Sequence, residues 1–212
     1  MTQNSWRTTL VVALAVATTT IGSGGCGSKD DDRKRVRALE ILGQAPSFSL
    51  TDQTGTPFTA ADLLGKVTII NFIFTRCPTV CPIFTRRFQR IVHSLDHVKP
   101  IQFVSISVDP AHDTSKVLAD YAAKHNADPA RWKFLTGDPE AIRLTAENGL
   151  KLVLERSGTL ADGTPDIVHD THFVLIDKQG NIRGYYDSGE KTRREALLLD
   201  AKALARINQP GA

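Results

Sequence analysis

The sequence predicts an α/β fold, a central mixed sheet with helices on both faces. Two uninterrupted apolar runs, "VTIINFIF" and "IQFVSISV", read as strands buried on both faces. Segments with helical spacing separate the strands, the arrangement that covers a sheet from two sides. The chain then closes on a hairpin, "HFVLIDKQGNIRGYYD", turning at Gln179-Gly180-Asn181, which adds antiparallel strands. No internal repeat or low-complexity tract interrupts the pattern.

At 212 residues and 41% hydrophobic composition, the chain supplies one sizeable core once a leader is set aside. Arg7 precedes "TTLVVALAVATTTIG", an apolar stretch short of the ~20 residues of a spanning helix, and "GSGGC" follows. Residues 1–26 therefore read as an export leader of lipoprotein type, with Cys26 the expected lipidation site. Ser23 stands where such sites usually carry Leu. An uncleaved anchor and a simple cleaved signal are the alternatives, and all three place the remaining chain outside the cytoplasm, where thiols meet oxidants. Residues 27–42, "GSKDDDRKRVRALE" and its flank, read as a charged, solvated tether, and residues 43–212 as the domain.

Within the domain, "PSFSLTDQTGTPFTAADL" gives two short strands around Gln53-Thr54-Gly55, and "ADLLGK" a helical turn before the first buried strand. A helix from about Pro82 to Val98 follows, with Phe84, Phe88, Ile91 and Leu95 at helical spacing. After the second buried strand come a helix in "TSKVLADYAAKHN", a short strand in "WKFLTG" and a helix in "PEAIRLTAENG". The hairpin and an amphipathic helix in "RREALLLDAKALARIN" complete the order. The net charge of +3 and the lack of a basic stripe interleaved with aromatics argue against nucleic acid as a partner.

The chemistry concentrates in "NFIFTRCPTVCPIF", where Cys77 and Cys81 sit at the handover from buried strand to helix. Pro78 or Pro82 suits a first helical turn, where no N–H donor is required. Unpaired N–H groups and the positive end of the helix dipole favour thiolates there. Residues four apart on a helix have Cβ atoms ~5–6 Å apart, against ~3.5–4.5 Å in an unstrained disulfide. A metal with ~2.3 Å bonds to sulfur spans the larger gap more easily. A reversible disulfide is allowed and a metal is geometrically preferred.

Two sulfurs want a third ligand. His93 and His97 follow on the same helix, where such a pair more often forms a solvated face, and His112 and His125 read as surface residues. His169 and His172 approach a central strand in "DIVHDTHFVLID". In an extended segment residues three apart face opposite ways, so one of the two faces the cysteines.

Taken together, "FIFTRCPTVCP", "SVDPAHDT", "WKFLTG" and "IVHDTHFVLID" resemble the Sco/SenC family of thioredoxin-like copper proteins, from about Pro46 to Asp187. The resemblance implies a thioredoxin fold with an inserted segment and copper held by Cys77, Cys81 and one distal histidine. Registering that histidine on "LIDKQG" selects His169, with His172 the competitor. Asp109, Pro110 and Asp113 match the family's DPxxDT block, either as structure, with Asp113 and Thr114 capping the next helix, or by orienting the site. Thr79 departs from the Asp that many members carry between the cysteines.

Two thiolates and an imidazole suit Cu(I), and the imidazole also accepts Cu(II); ligand type leaves zinc open. Met1 is the only methionine, which excludes a Met-ligated copper site on a mature chain. The resemblance implies a membrane-tethered, extracytoplasmic copper chaperone rather than an enzyme. Its partner would be the copper-acceptor subunit of a haem-copper respiratory oxidase, whose dinuclear copper centre it helps assemble. The alternative is a thiol-disulfide oxidoreductase, with Cys77 and Cys81 as the redox pair. Such enzymes typically use CxxC and place a cis-proline before the strand equivalent to "HFVLID", where this chain has His169 to His172. A peroxiredoxin-type peroxidase is a weaker rival, because Thr75 stands two residues before Cys77 instead of three.

Overall fold

A computed structural model describes residues 29–77, 81–159 and 165–207, the side chains of residues 81, 82, 156, 168 and 169 excepted. The leader, Cys26, Pro78 and Thr79 lie outside the described residues. Elements in chain order are α1 (Lys29–Ala38), β1 (Gly43–Gln44), β2 (Ser49–Asp52), β3 (Pro57–Thr59), a 3-10 turn (Ala60–Leu63), β4 (Val67–Ile73) and α2 (Cys81–Ser94). Then come β5 (Ile101–Ser107), α3 (Ser115–Lys124), β6 (Trp132–Thr136), α4 (Pro139–Leu144) running into a π-helical turn (Thr145–Gly149), β7 (Leu154–Thr159), β8 (Pro165–His169), β9 (His172–Ile176), β10 (Asn181–Asp187) and α5 (Lys191–Arg206).

Among the described residues the main sheet runs β1-β10-β9-β4-β5-β6-β2-β3. β4, β5 and β6 are parallel, and β9 joins β4 antiparallel with Ile70 opposite Val174. The two apolar runs are its centre, because only a strand covered on both faces tolerates continuous hydrophobicity. Side chains alternate along β4. Val67, Ile69 and Ile73 pack with Phe84, Phe88 and Ile91 of α2 and Leu95 just after it, with Leu118 of α3 and with Leu197 of α5. Ile70, Phe72 and the following Phe74 enter the opposite layer with Phe58, Leu63 and Ile142. Helices thus cover both faces of a mixed sheet, as the sequence predicts.

Turn chemistry fixes the edges. Asp52 accepts from the Thr54 amide at 2.8 Å, the Thr54 hydroxyl at 2.6 Å and the Thr56 amide at 3.1 Å, closing the β2–β3 turn. Gly180, at φ +83, takes the left-handed position of the β9–β10 turn that side chains avoid.

Two segments differ from expectation. Residues 29–38, expected as solvated tether, form α1 and lie against α5, where Arg35 meets Asp200 at 2.6 Å. Buried Arg183 donates to the Val36 and Leu39 carbonyls at 2.9 and 2.7 Å, capping the end of α1. The approach to β9 is also no single extended segment: β7 and β8 form a separate hairpin with Leu154 opposite His169, and the chain breaks at Asp170-Thr171 before β9.

Candidate metal centre

The sheet topology brings the two cysteine positions and His172, the competitor of His169, to one end of the central strands. Cys77 lies just beyond the C-terminal end of β4, and Cys81 is the first residue of α2. β9 runs antiparallel beside β4, so its first residue, His172, stands at that same edge. His169 ends β8 three residues earlier. The backbone thus brings two cysteine positions and one histidine position to a common edge from three elements. The side chains of Cys81 and His169 lie outside the described ones; Cys77 is half-buried against the core layer of Phe72 and Phe74. Among the described residues no cluster of three or more His, Cys, Asp or Glu forms a ready metal site.

The loop leading to Cys77 is held from the adjacent strand. Asp113, fully buried, accepts from the Thr75 amide at 3.0 Å, the Thr75 hydroxyl at 2.5 Å and the Ser107 hydroxyl at 2.5 Å, and lies 3.0 Å from His112 Nδ1. Asp109, equally buried, takes the Arg76 Nε at 2.7 Å. Its own amide donates to Ser107 at 3.1 Å. Two carboxylates thus clamp the residues immediately before Cys77, and charge-assisted bonds of this kind are the stronger class. Thr114 caps α3 by accepting from the Val117 amide at 3.4 Å, while Asp113 serves the loop instead. Thr75, Arg76 and Ser107 are participants the sequence did not single out. The signal for them was the position of "DPAHDT" directly after a buried strand parallel to β4.

The remaining histidines sort by place. His172 Nδ1 is 2.5 Å from Asp170, whose carboxylate also accepts the His172 amide at 2.8 Å. His93 and His97 are exposed at and beyond the far end of α2, away from the cysteines. His125 is half-buried and not simply a surface residue: it ends α3 with its ring 4.5 Å from that of Tyr121. Burial and then neighbouring Lys124 hold its pKa below the usual imidazole range. Beside the site, an apolar cleft of about 380 Å³ lies between the Val108–Ala111 loop, α4 and the β7–β8 hairpin, with Leu154 and Ile167 in its wall.

Residues 41–205 match the family model described as SCO1/SenC. Among solved structures, a SCO1/SenC family lipoprotein from Bacillus anthracis str. Ames is 32% identical at a TM-score of 0.71, over 80% of this chain and 99% of that one. Bradyrhizobium japonicum ScoI with copper bound is 27% identical at a TM-score of 0.63, over 75% and 99%. BsSco, a member of the Sco family of cytochrome c oxidase assembly proteins in which a disulfide switch was identified, is 26% identical at 0.69, over 81% and 99%. The extent of the family match and the thioredoxin-like frame shared with these homologues agree: the chain belongs to the SCO1/SenC family, copper-binding proteins involved in cytochrome c oxidase assembly.

Proposed function

We propose that this chain is an extracytoplasmic, membrane-tethered copper metallochaperone that loads the dinuclear copper centre of a haem-copper respiratory oxidase. The observation that carries the reading is the placing of Cys77 just after β4 and Cys81 at the start of α2, beside a loop fixed by Asp109 and Asp113; His169, three residues before β9, is the third ligand of the proposal. Their donor set, two thiolates and an imidazole, is soft enough for Cu(I) and keeps a nitrogen for Cu(II). Delivery proceeds by ligand exchange: thiolates or imidazoles of the acceptor subunit displace Cys77, Cys81 and His169 one at a time, so the metal is never free. Export through the leader and lipidation at Cys26 supply the tether. The lipoprotein description of the Bacillus anthracis relative supports this placement.

The second reading, reduction of an acceptor's disulfide by Cys77 and Cys81, is favoured by the disulfide switch identified in BsSco. Against it stands the segment before β9, where Asp170 and Thr171 occupy the approach and Pro165 opens β8 instead.

The test is an anaerobic copper titration of the reduced protein lacking its leader, residues 27–212, with metal stoichiometry and sulfur-to-copper charge-transfer absorption followed together. One copper per chain with charge-transfer bands is expected. Binding that leaves the thiols titratable contradicts the reading.

A further inference from the structure

The direction of three elements gives the domain two functional ends. At the site end lie the last residue of β4, the first residue of β9 and the start of α5, where the Ser188 amide donates to the Thr171 carbonyl. At the other end lie the β9–β10 turn and the end of α5, whose Ala205 and Ile207 carbonyls both accept from Lys178 Nζ, at 2.8 and 3.1 Å. α1 runs antiparallel to α5: Asp32 pairs with Arg206 and Arg35 with Asp200. Lys29, the first residue of α1, therefore stands at the end far from Cys77.

Three chain steps separate Lys29 from Cys26, a reach of at most ~11 Å. The apolar stretch of the leader lies just upstream. With α1 docked on α5, at most three chain steps lie between the described domain and Cys26, the lipidation site of the proposed function.

The far end also has the composition of a surface that meets lipid. Leu64 is 55% exposed and lies against the β9–β10 turn, its Cδ2 3.4 Å from where a Cβ on Gly180 would stand. At the same end Lys66, Lys99 and Lys29 are exposed, Arg206 is exposed and paired with Asp32, and half-buried Lys178 holds the α5 carbonyls. The nearby acids are largely engaged within the domain: Asp62 accepts the Thr59 amide and hydroxyl, Asp96 pairs with Arg131, and Asp30 with Arg33. Exposed lysines at the same end as an exposed aliphatic side chain fit anionic headgroups above an acyl layer.

We propose that this end, built from Leu64, Lys66, Lys99, Lys178 and the α1–α5 terminus, rests on the bilayer and holds the Cys77 edge pointing away from it. The inference deepens the membrane-tethered reading and rests on its anchor, not on copper. Seven residues of β4 at ~3.3 Å each separate the two ends. The acceptor must therefore present its copper-binding donors about 20 Å or more above the headgroups, clear of the bilayer.

The test uses the full chain in its native membrane, with a photoreactive residue introduced at Leu64 or, in a second chain, at Ile83, which is 48% exposed on α2 beside Cys81. Illumination should give a phospholipid adduct at position 64 and none at 83. Equal adducts, an adduct at 83 alone, no lipid adduct at either, or a protein adduct at 64 overturns the proposal. A chain recovered in the soluble fraction removes the anchor and overturns it as well. Copper content of the same membranes is read separately, so failure of the metal reading and failure of the orientation are distinguishable.

Discussion

Asp113 accepts from Thr75 twice and from Ser107 once, with His112 as a further neighbour, all from within the protein. Replacing it by Ala leaves the Thr75 amide and the Ser107 hydroxyl without their acceptor in a buried place. Each such loss costs about 1–3 kcal/mol. Asp113→Ala should therefore lower unfolding stability by roughly 3 kcal/mol in a denaturant titration. It should also weaken copper binding while leaving one copper per chain, because the proposed ligands Cys77, Cys81 and His169 remain and only the Cys77 loop is loosened. The proposed ligands are expected to behave differently. Cys77→Ala or Cys81→Ala should abolish tight binding, since one thiolate and one imidazole cannot enclose Cu(I). His169→Ala should weaken binding and change the Cu(II) spectrum. His172→Ala, which removes a ring engaged with Asp170, should do little; a large loss there reverses the choice between the two histidines. At this scale the sequence displayed the CxxxC pair and its place at a strand-to-helix handover, since that pattern is local. The Asp109–Arg76 and Asp113–Thr75 clamps were not legible, because they pair residues more than thirty positions apart and depend on β4 and β5 being parallel neighbours.

Among the elements, α1 shows most clearly why sequence alone fell short. Its residues are charged enough to read as solvated, yet Asp32 and Val36 are buried and Arg183 caps its carbonyl end while pairing with buried Asp177 at 2.9 Å. What holds the helix is supplied by α5 and β10, some 140 to 170 residues away, and no local pattern reports it. Arg183→Ala leaves Asp177 as a buried charge without its cation, a change that costs about 3–5 kcal/mol. Stability should fall by that order, and limited proteolysis should begin cutting within residues 29–42, where the native chain should resist it. If protection persists in a stably folded variant, α1 is held by α5 alone. The β7–β8 hairpin was likewise missed, since "LERSGT" and "PDIVH" carry little apolar alternation and pair chiefly with each other. By contrast β4, β5, α2 and the β9–β10 hairpin were legible, because burial on both faces, helical spacing and a Gly turn each leave a local signature.

Across the whole molecule, the sheet couples these parts, and Asp52 predicts a loss of stability in acid. Burial raises the pKa of Asp52, but the salt bridge to Lys133 and the donors from Thr54 and Thr56 outweigh it, lowering the pKa from 3.8 to about 2. A lowered folded-state pKa means the carboxylate stabilises the fold fully above about pH 4 and loses that contribution as pH falls toward 2. Asp52→Asn should therefore be less stable at neutral pH and show a flatter stability profile between pH 4 and 2, measured by urea midpoint against pH. Parallel profiles would assign the acid loss to other carboxylates.

The central claim, that this edge carries copper and not only electrons, is tested most directly through His169. A thiol reductase needs one cysteine to attack and one to resolve the mixed disulfide, whereas a copper carrier also needs the imidazole to complete a coordination that two sulfurs leave open. The measurement compares His169→Ala with the native chain for reduction of a model disulfide and for oxidase activity in a strain lacking the native protein. The account predicts that disulfide reduction is largely retained while the oxidase copper centre fails to assemble. Normal oxidase assembly by His169→Ala without added copper would contradict it and leave Cys77 and Cys81 acting as a thiol pair.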